Sequence, residues 1–292
     1  MLNQNNLKMK KFLKLLTVLA LFVVGIYFFL EKYTPPLDEN YGKIEAKLYL
    51  GDSDNQPLIV GFGGSEGGNA WDSQYWKPTR DEFLKRGYAF LAIGYFGTKN
   101  TPSSLDRISL NAIHNTILKN ANNPKIDKTK IAIIGGSKGG ELVLNLASLY
   151  KDISAVVAIV PSNVSFPAHT FMNNTSSWCY NDKELPFILP PYDIIPFLLT
   201  GDRLGAFQLM LNETEAAKKA QIPVENSNGN ILLISATNDE EWPSTAMSDS
   251  VINRLKENNF NKFYQHIPIE GGHTEPLKHF DLVFDFLEEY FK

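Results

Sequence analysis

The 292 residues are 43% hydrophobic and 21% charged, an ordinary globular composition that excludes a largely disordered chain and suffices for one large domain with its own core. Twenty-eight Lys and Arg against 32 Asp and Glu leave a net charge of -4, which excludes the basic footprint of a nucleic-acid binder. The single cysteine, Cys179, can form no intrachain disulfide and lies in no metal-spaced cluster with the five histidines, so neither a disulfide scaffold nor a metal centre is expected.

In chain order, Lys8, Lys10, Lys11 and Lys14 precede an almost unbroken apolar run from Leu15 to Leu30 that ends at Glu31-Lys32. A basic segment followed by an apolar one is the pattern of a secretory signal or a signal-anchor. Phe12 to Leu30 approaches the roughly 20 residues of a single span if Lys14 snorkels to the headgroups. With Ile26-Tyr27-Phe28-Phe29-Leu30 still apolar and no Ala-x-Ala site, residues 1–32 read as an uncleaved anchor, with a cleaved signal peptide and secretion as the alternative. Lysines before the span keep the N-terminus in the cytoplasm, so the rest of the chain is expected to be extracytoplasmic. The two prolines of Tyr33-Thr34-Pro35-Pro36 disfavour helix and sheet, and residues 33–40 read as a stiff linker.

The soluble domain is expected over 41–292. Strand-length apolar runs at Pro57–Phe62, Tyr88–Tyr95, Ile131–Ile134, Ala155–Val160, Ile231–Ile234 and Phe263–Ile269 alternate with helical spacing at Asp81–Arg86, Leu105–Lys119, Gly140–Tyr150, Ser244–Asn258 and Pro276–Tyr290. Strands apolar throughout, alternating with helices, predict an α/β fold with a mostly parallel sheet covered on both faces. Residues 162–230 break the alternation and are too long for a plain connection, so they read as a lid-like or binding insertion. Its Phe171, Met172, Trp178, Phe197, Leu198, Phe207 and Met210 would either line an apolar substrate site or pack the insertion onto the domain.

The strand Ile131–Ile134 runs into Gly135-Gly136-Ser137-Lys138-Gly139-Gly140, a G-x-S-x-G sequence in the strand-to-helix setting of a nucleophile elbow. Ser137 is the candidate nucleophile, and the Lys138 amide, at the helix N-terminus, can donate to an oxyanion. A serine hydroxyl needs a base, and an α/β-hydrolase needs an acid and then a histidine later in the chain. Of the histidines, His114 lies in a helical pattern, His169 in the insertion, His266 in a strand and His279 in the last helix; His273 alone occupies a glycine-rich loop after a strand. The acid comes from Asn238-Asp239-Glu240-Glu241, where Asp239 stands first after its strand and Glu240 and Glu241 compete. The second oxyanion amide is expected from Gly63-Gly64-Ser65-Glu66, at Ser65 with Glu66 as the next choice. That stretch is no dinucleotide fingerprint, because Glu66 stands where the third glycine of G-x-G-x-x-G belongs, and no organic cofactor is expected.

Gly136-Ser137-Lys138-Gly139-Gly140-Glu141-Leu142, Ile222-Pro223-Val224-Glu225, Asn238-Asp239-Glu240-Glu241-Trp242-Pro243-Ser244 and Gly272-His273-Thr274-Glu275-Pro276 resemble the catalytic domain of the acyl-CoA thioesterase and bile acid-CoA:amino acid N-acyltransferase family. The resemblance runs from about Pro57 to the C-terminus. It implies the Ser137, Asp239, His273 triad, with Asp239 where family members carry the second of two aspartates. Two departures stand beside it. Family enzymes acting on acyl-CoA usually carry a β-sandwich before the hydrolase domain, whereas Tyr41 to Asn55 allows a strand or two. Transfer to an amino acid goes in the family with a nucleophilic cysteine, and this chain has Ser137.

The expected activity is hydrolysis of a small-molecule acyl ester or thioester through an acyl-enzyme, with acyltransfer by that intermediate as the alternative. A membrane-tethered, non-catalytic binding protein is the alternative of another class. Because CoA esters are mainly cytoplasmic, an exported domain would act on something other than acyl-CoA.

Overall fold

The structure, a computed structural model, describes residues 2–292, and the side chains of all of these except residues 2–7, 30 and 31. It divides into a unit that ends at Pro36 and a unit Leu37–Lys292.

The first unit is the helix α1 (Leu2–Lys32) with a short extension. Its segment Lys8–Phe29 has 22 residues, a mean hydropathy of 2.4 and no buried share, so it is long and apolar enough to cross a membrane. The end of the apolar run, Leu30 and Glu31, lies outside the described side chains.

The second unit begins four residues before the expected domain start. Leu37–Asn40, assigned to the linker from sequence, is drawn into the domain because the Asp38 carboxylate accepts from the Ser103 amide at 2.9 Å and the Ser103 hydroxyl at 2.7 Å. The chain then runs β1 (Glu45–Tyr49), β2 (Gln56–Phe62), α2 (Lys77–Lys85), β3 (Ala89–Gly94), β4 (Ile108–Ser109), α3 (Leu110–Ala121), β5 (Ile126–Gly136), α4 (Lys138–Leu149) and β6 (Ile153–Ile159). The insertion supplies β7 (Trp178–Tyr180), β8 (Lys183–Glu184), α5 (Ile195–Thr200), α6 (Arg203–Leu211) and α7 (Thr214–Ala220). The last part is β9 (Asn230–Ala236), α8 (Ser244–Glu257), β10 (Tyr264–Ile269) and α9 (Phe280–Tyr290).

Among the described residues a seven-stranded sheet has the order β1-β3-β2-β5-β6-β9-β10. Every neighbouring pair is parallel except β1 with β3. Side chains alternate between its faces with the period of two of a strand. On one face Val60, Leu91, Ile133 and Val156 meet Ile113 of α3, Leu142 of α4 and Val251 of α8. On the other Ile59, Phe90, Ile134 and Val157 meet Phe83 of α2 and Val283 and Leu287 of α9. Helices on both faces explain why the strands read as continuous apolar runs.

The helix expected at Asp81–Arg86 starts earlier, at Lys77, with a proline in its first turn, and two others start or break differently. Leu105–Lys119 is helical only from Leu110, because Arg107 and Ile108 give their N–H groups to the carbonyls of Ser176 and Ser177, and the Ser109 hydroxyl caps the helix by accepting from the Ala112 amide at 3.2 Å. Pro276–Tyr290 divides into a short 3₁₀ turn over Glu275–Lys278 and α9, with His279 (φ -108°, ψ 47°) at the break. The apolar side chains of the insertion form a separate cluster, Val164, Phe166, Ile188, Ala206 and Met210, packed against Trp242 and Met247 of the main domain. Phe171 and Leu199 are instead 86% and 83% exposed.

Candidate active site

Strand order reverses beside β2: the chain goes from β2 outward to β3 and later returns to β5 on the other side. In open parallel sheets the crevice beyond the carboxyl ends of the strands at such a point is where ligands bind. The loop after β2 carries Gly63–Glu66 and the turn after β5 carries Ser137. Both line a cavity of about 350 Å³, within the range of small-molecule sites.

Ser137 has φ 55° and ψ -121°, a backbone conformation that L-residues rarely adopt. The sharp turn puts β5 and α4 almost in contact. A Cβ on Gly135 would stand 2.1 Å from the Gly139 carbonyl oxygen, and one on Gly139 would stand 2.5 Å from that of Gly63. Glycine two positions to either side of Ser137 is therefore a packing requirement. The Ser137 amide donates to the Ile159 carbonyl at 2.9 Å, which ties the turn to β6. As the first residue of α4, Lys138 has no carbonyl one turn back inside the helix to receive its N–H.

The Lys138 side chain, unlike its amide, points into the protein. Its ammonium donates to both oxygens of Glu141 at 2.9 Å, and Glu141 also accepts from the Trp178 indole at 2.7 Å and the Phe166 amide at 3.2 Å. Burial pushes the Lys138 ammonium down and the Glu141 carboxyl up, and the ion pair opposes both shifts. This buried network joins the elbow helix to the insertion.

The loop after β9 brings Asp239 to His273. The imidazole Nδ1 lies 2.8 and 2.9 Å from the two carboxylate oxygens, and the amides of Glu241 and Trp242 donate to Oδ1 at 3.0 and 3.2 Å. Burial alone would raise the Asp239 carboxyl, but hydrogen bonds from His273 and Ser244 and from the Trp242 amide hold it below the ordinary carboxylate value. Of the competing carboxylates, Glu240 accepts from the backbone amide of His273 at 2.9 Å, and Glu241 takes the guanidinium of Arg203 at 2.6 Å. His273, Ser137 and Ser65 line one cavity; Asp239 reaches it only through His273, and the Lys138 side chain borders a separate recess in the insertion.

Sequence reasoning missed three supports. Tyr95, directly after β3, donates its hydroxyl to the carbonyls of Gly63 at 2.8 Å and Gly64 at 3.2 Å. Burial pushes that hydroxyl well above the ordinary phenol value, with the charges of Glu66 and Glu141 adding to the effect, so it remains a donor. Glu66 accepts from the Gly64 amide at 3.0 Å, which removes that amide from the donors available to a ligand. Trp242 donates its indole N–H to the Val160 carbonyl at 3.1 Å and packs edge-on to His273 with ring centroids 5.9 Å apart. Position at a strand end could have flagged Tyr95; Glu66 and Trp242 stand in segments the sequence singles out, but nothing in the local pattern marks these roles of their side chains.

Trp71, Trp76 and Phe280 form one wall of the cavity, with ring centroids 4.4 to 5.7 Å apart. A smaller recess of about 120 Å³ lies in the insertion between Phe166, Ile194, Phe207 and Met210, and Arg203 borders both spaces. Among the described residues no cluster of His, Cys, Asp or Glu could hold a metal ion.

Residues 115–276, more than half of the chain, match the family described as BAAT / acyl-CoA thioester hydrolase C terminal, and residues 48–172 match the BD-FAE family. The mouse protein named acyl-coenzyme A thioesterase 2, mitochondrial, is 30% identical over 173 residues, which are 59% of this chain and 36% of that protein. Rat acyl-coenzyme A thioesterase 1 is 28% identical over 199 residues, 68% of this chain and 45% of that protein. The chain thus spans under half the length of these curated relatives. Among solved structures, Pyrococcus horikoshii acylaminoacyl peptidase superposes with a TM-score of 0.61 at 17% identity, covering 85% of this chain and 40% of that one. The α/β-hydrolase GrgF from a Penicillium species does so at 0.54 and 14%, covering 85% and 99%. These likenesses show an α/β-hydrolase fold. By its sequence match through elbow, acid loop and histidine loop, the chain belongs to the BAAT / acyl-CoA thioester hydrolase C-terminal family.

Proposed function

We propose that this protein is a serine hydrolase that cleaves small-molecule acyl esters or thioesters. The observation that carries the reading is the strained Ser137 elbow opening into the same cavity as His273, whose Nδ1 is held by Asp239. In the first half-reaction the Ser137 oxygen bonds to the acyl carbon while His273 Nε2 takes the hydroxyl proton. The carbon–oxygen or carbon–sulfur bond to the leaving group then breaks, and His273 returns that proton to the departing alkoxide or thiolate. Water, activated by the same imidazole, releases the acid and regenerates Ser137. Asp239 keeps the Nδ1 proton in place and stabilises the imidazolium, and the amides of Lys138 and Ser65 hold the oxyanion. The aromatic wall of the cavity suits an apolar acyl group. The segment 162–230 acts as a lid over the cavity.

In the same reading α1 anchors the protein, with the lysines at its start on the cytoplasmic side and the catalytic domain outside. Protease protection of sealed vesicles tests this orientation: a catalytic domain protected in inside-out vesicles and digested in right-side-out ones supports it, and the reverse sinks it.

The activity is tested on the full chain in uncharged detergent with a fluorophosphonate probe, p-nitrophenyl esters and acyl thioesters. Covalent labelling and turnover, both lost in Ser137→Ala, are the expected result. A folded wild-type protein that neither labels nor turns over any ester would leave a non-catalytic binding protein.

A further inference from the structure

The charges around the cavity bear on what leaves Ser137. Glu66, Glu240 and Glu241 line it, and Arg203 is the one Lys or Arg among the described residues that does. The guanidinium of Arg203 is already matched by Glu241 at 2.6 Å. Glu66 and Glu240 spend their carboxylates on backbone amides, at 3.0 and 2.9 Å, and neither is matched by a cation among the described residues. One further ionic pair near the site, Lys138 with Glu141, cancels internally, and Asp239 adds a carboxylate behind His273. The aromatic wall of Trp71, Trp76 and Phe280 adds no positive charge to the same space, and aromatic rings are partners for cations rather than anions.

We infer that this cleft is built for a leaving group without net negative charge, an uncharged or cationic alcohol or thiol, and discriminates against polyanionic ones such as coenzyme A. The inference rests on the hydrolase reading and narrows its substrate class. Carboxylates that line a cleft with low-dielectric walls focus a negative potential into it, which slows the approach of an anion and speeds that of a cation. A phosphate-rich leaving group would also need basic residues at the mouth for its charges, and Arg203 is engaged. The relatives whose names specify acyl-coenzyme A extend well beyond the matched region, so their specificity can draw on residues this cleft does not supply.

The test uses the full chain in uncharged detergent and phosphonate thioesters that share one small phosphonyl group and differ only in the leaving thiol: thiocholine (cationic), N-acetylcysteamine (neutral) or 2-mercaptoethanesulfonate (anionic). Inactivation rate is measured from about 0.01 M to about 1 M salt, over which the screening length falls from about 30 Å to about 3 Å. At low salt the cationic reagent should outpace the anionic one by on the order of tenfold or more. Salt should slow the cationic reagent, speed the anionic one and leave the neutral one nearly unchanged. Glu241→Gln, which frees Arg203 and leaves the backbone amide of residue 241 on Asp239, should narrow the gap several-fold. A neutral fluorophosphonate run alongside tests the nucleophile itself. No labelling by it sinks the hydrolase reading and this inference together, whereas a labelled protein that shows no charge preference, or prefers the anionic reagent, overturns this inference alone.

Discussion

Replacing Asp239 with asparagine should lower kcat by about 10⁴-fold, equivalent to about 5.4 kcal/mol of transition-state stabilisation at about 1.36 kcal/mol per factor of ten. The amides of Glu241 and Trp242 donate to Oδ1 and fix that position as an acceptor, so the carbonyl oxygen of the introduced carboxamide takes it and the NH₂ group takes the place of Oδ2. That places a donor 2.9 Å from His273 Nδ1. The ring relieves the clash by moving its proton to Nε2, where it can no longer accept the proton of Ser137. Glu240→Gln is the control. Its carboxylate touches only the His273 backbone amide, and the Gln carbonyl can still accept there, so the loss should stay within about tenfold, the scale of one neutral hydrogen bond of about 1 kcal/mol. Steady-state hydrolysis of a p-nitrophenyl ester and the rate of fluorophosphonate labelling should fall in parallel. Greater damage from Glu240→Gln than from Asp239→Asn, or an Asp239→Asn enzyme within tenfold of the parent, would refute the assignment of the acid.

Ser137→Gly should abolish activity yet raise stability. Glycine removes backbone strain of about 1–3 kcal/mol against about 0.5–1 kcal/mol of extra chain entropy, so the thermal midpoint should rise by roughly 2–4 °C, whereas Ser137→Ala should gain nothing. Gly139→Ala should destabilise by about 1–3 kcal/mol, read by urea unfolding, and depress kcat, because its Cβ would stand 2.5 Å from the Gly63 carbonyl oxygen and displace the loop that carries Ser65. Burial, with the charges of Lys138 and Arg203, pushes the His169 imidazole down to about 4 from 6.5. The unfolded chain therefore binds more protons between those values, so stability should fall as pH drops from about 6.5 toward 4. His169→Gln should flatten that slope in urea midpoints, and an unchanged slope would remove His169 from the account.

The parts legible in the sequence are those governed by short-range constraints. A turn sharp enough to expose Ser137 requires glycine at 135 and 139, and those glycines are visible as letters. The strands stand out because a sheet covered on both faces leaves no polar side to interrupt them. The order of the three carboxylates after β9 was readable, but the division of labour among them depends on contacts 33 to 38 residues away in sequence, with His273 and Arg203, which no local pattern encodes. The start of α3 was misplaced for the same reason: Leu105–Ser109 has helical spacing, yet its amides are claimed by Ser176 and Ser177. The sequence also left open whether the apolar insertion binds substrate or merely packs. Structurally it divides, with Phe166 and Met210 in a core of their own and Phe171 and Leu199 facing outward.

Trp242 belongs to the loop that carries Asp239, yet it packs against Phe166 and Phe207 of the insertion and against the His273 ring. The segment proposed as the lid is consequently also scaffolding for the groups proposed to move the proton. Grafting a different insertion from a relative, the usual route to a new substrate range on this fold, would loosen the indole and with it the histidine. Changes of specificity in this lineage should therefore come paired with compensating replacements at 166, 207 or 242, and a library that varies the insertion alone should trade turnover for every gain in scope.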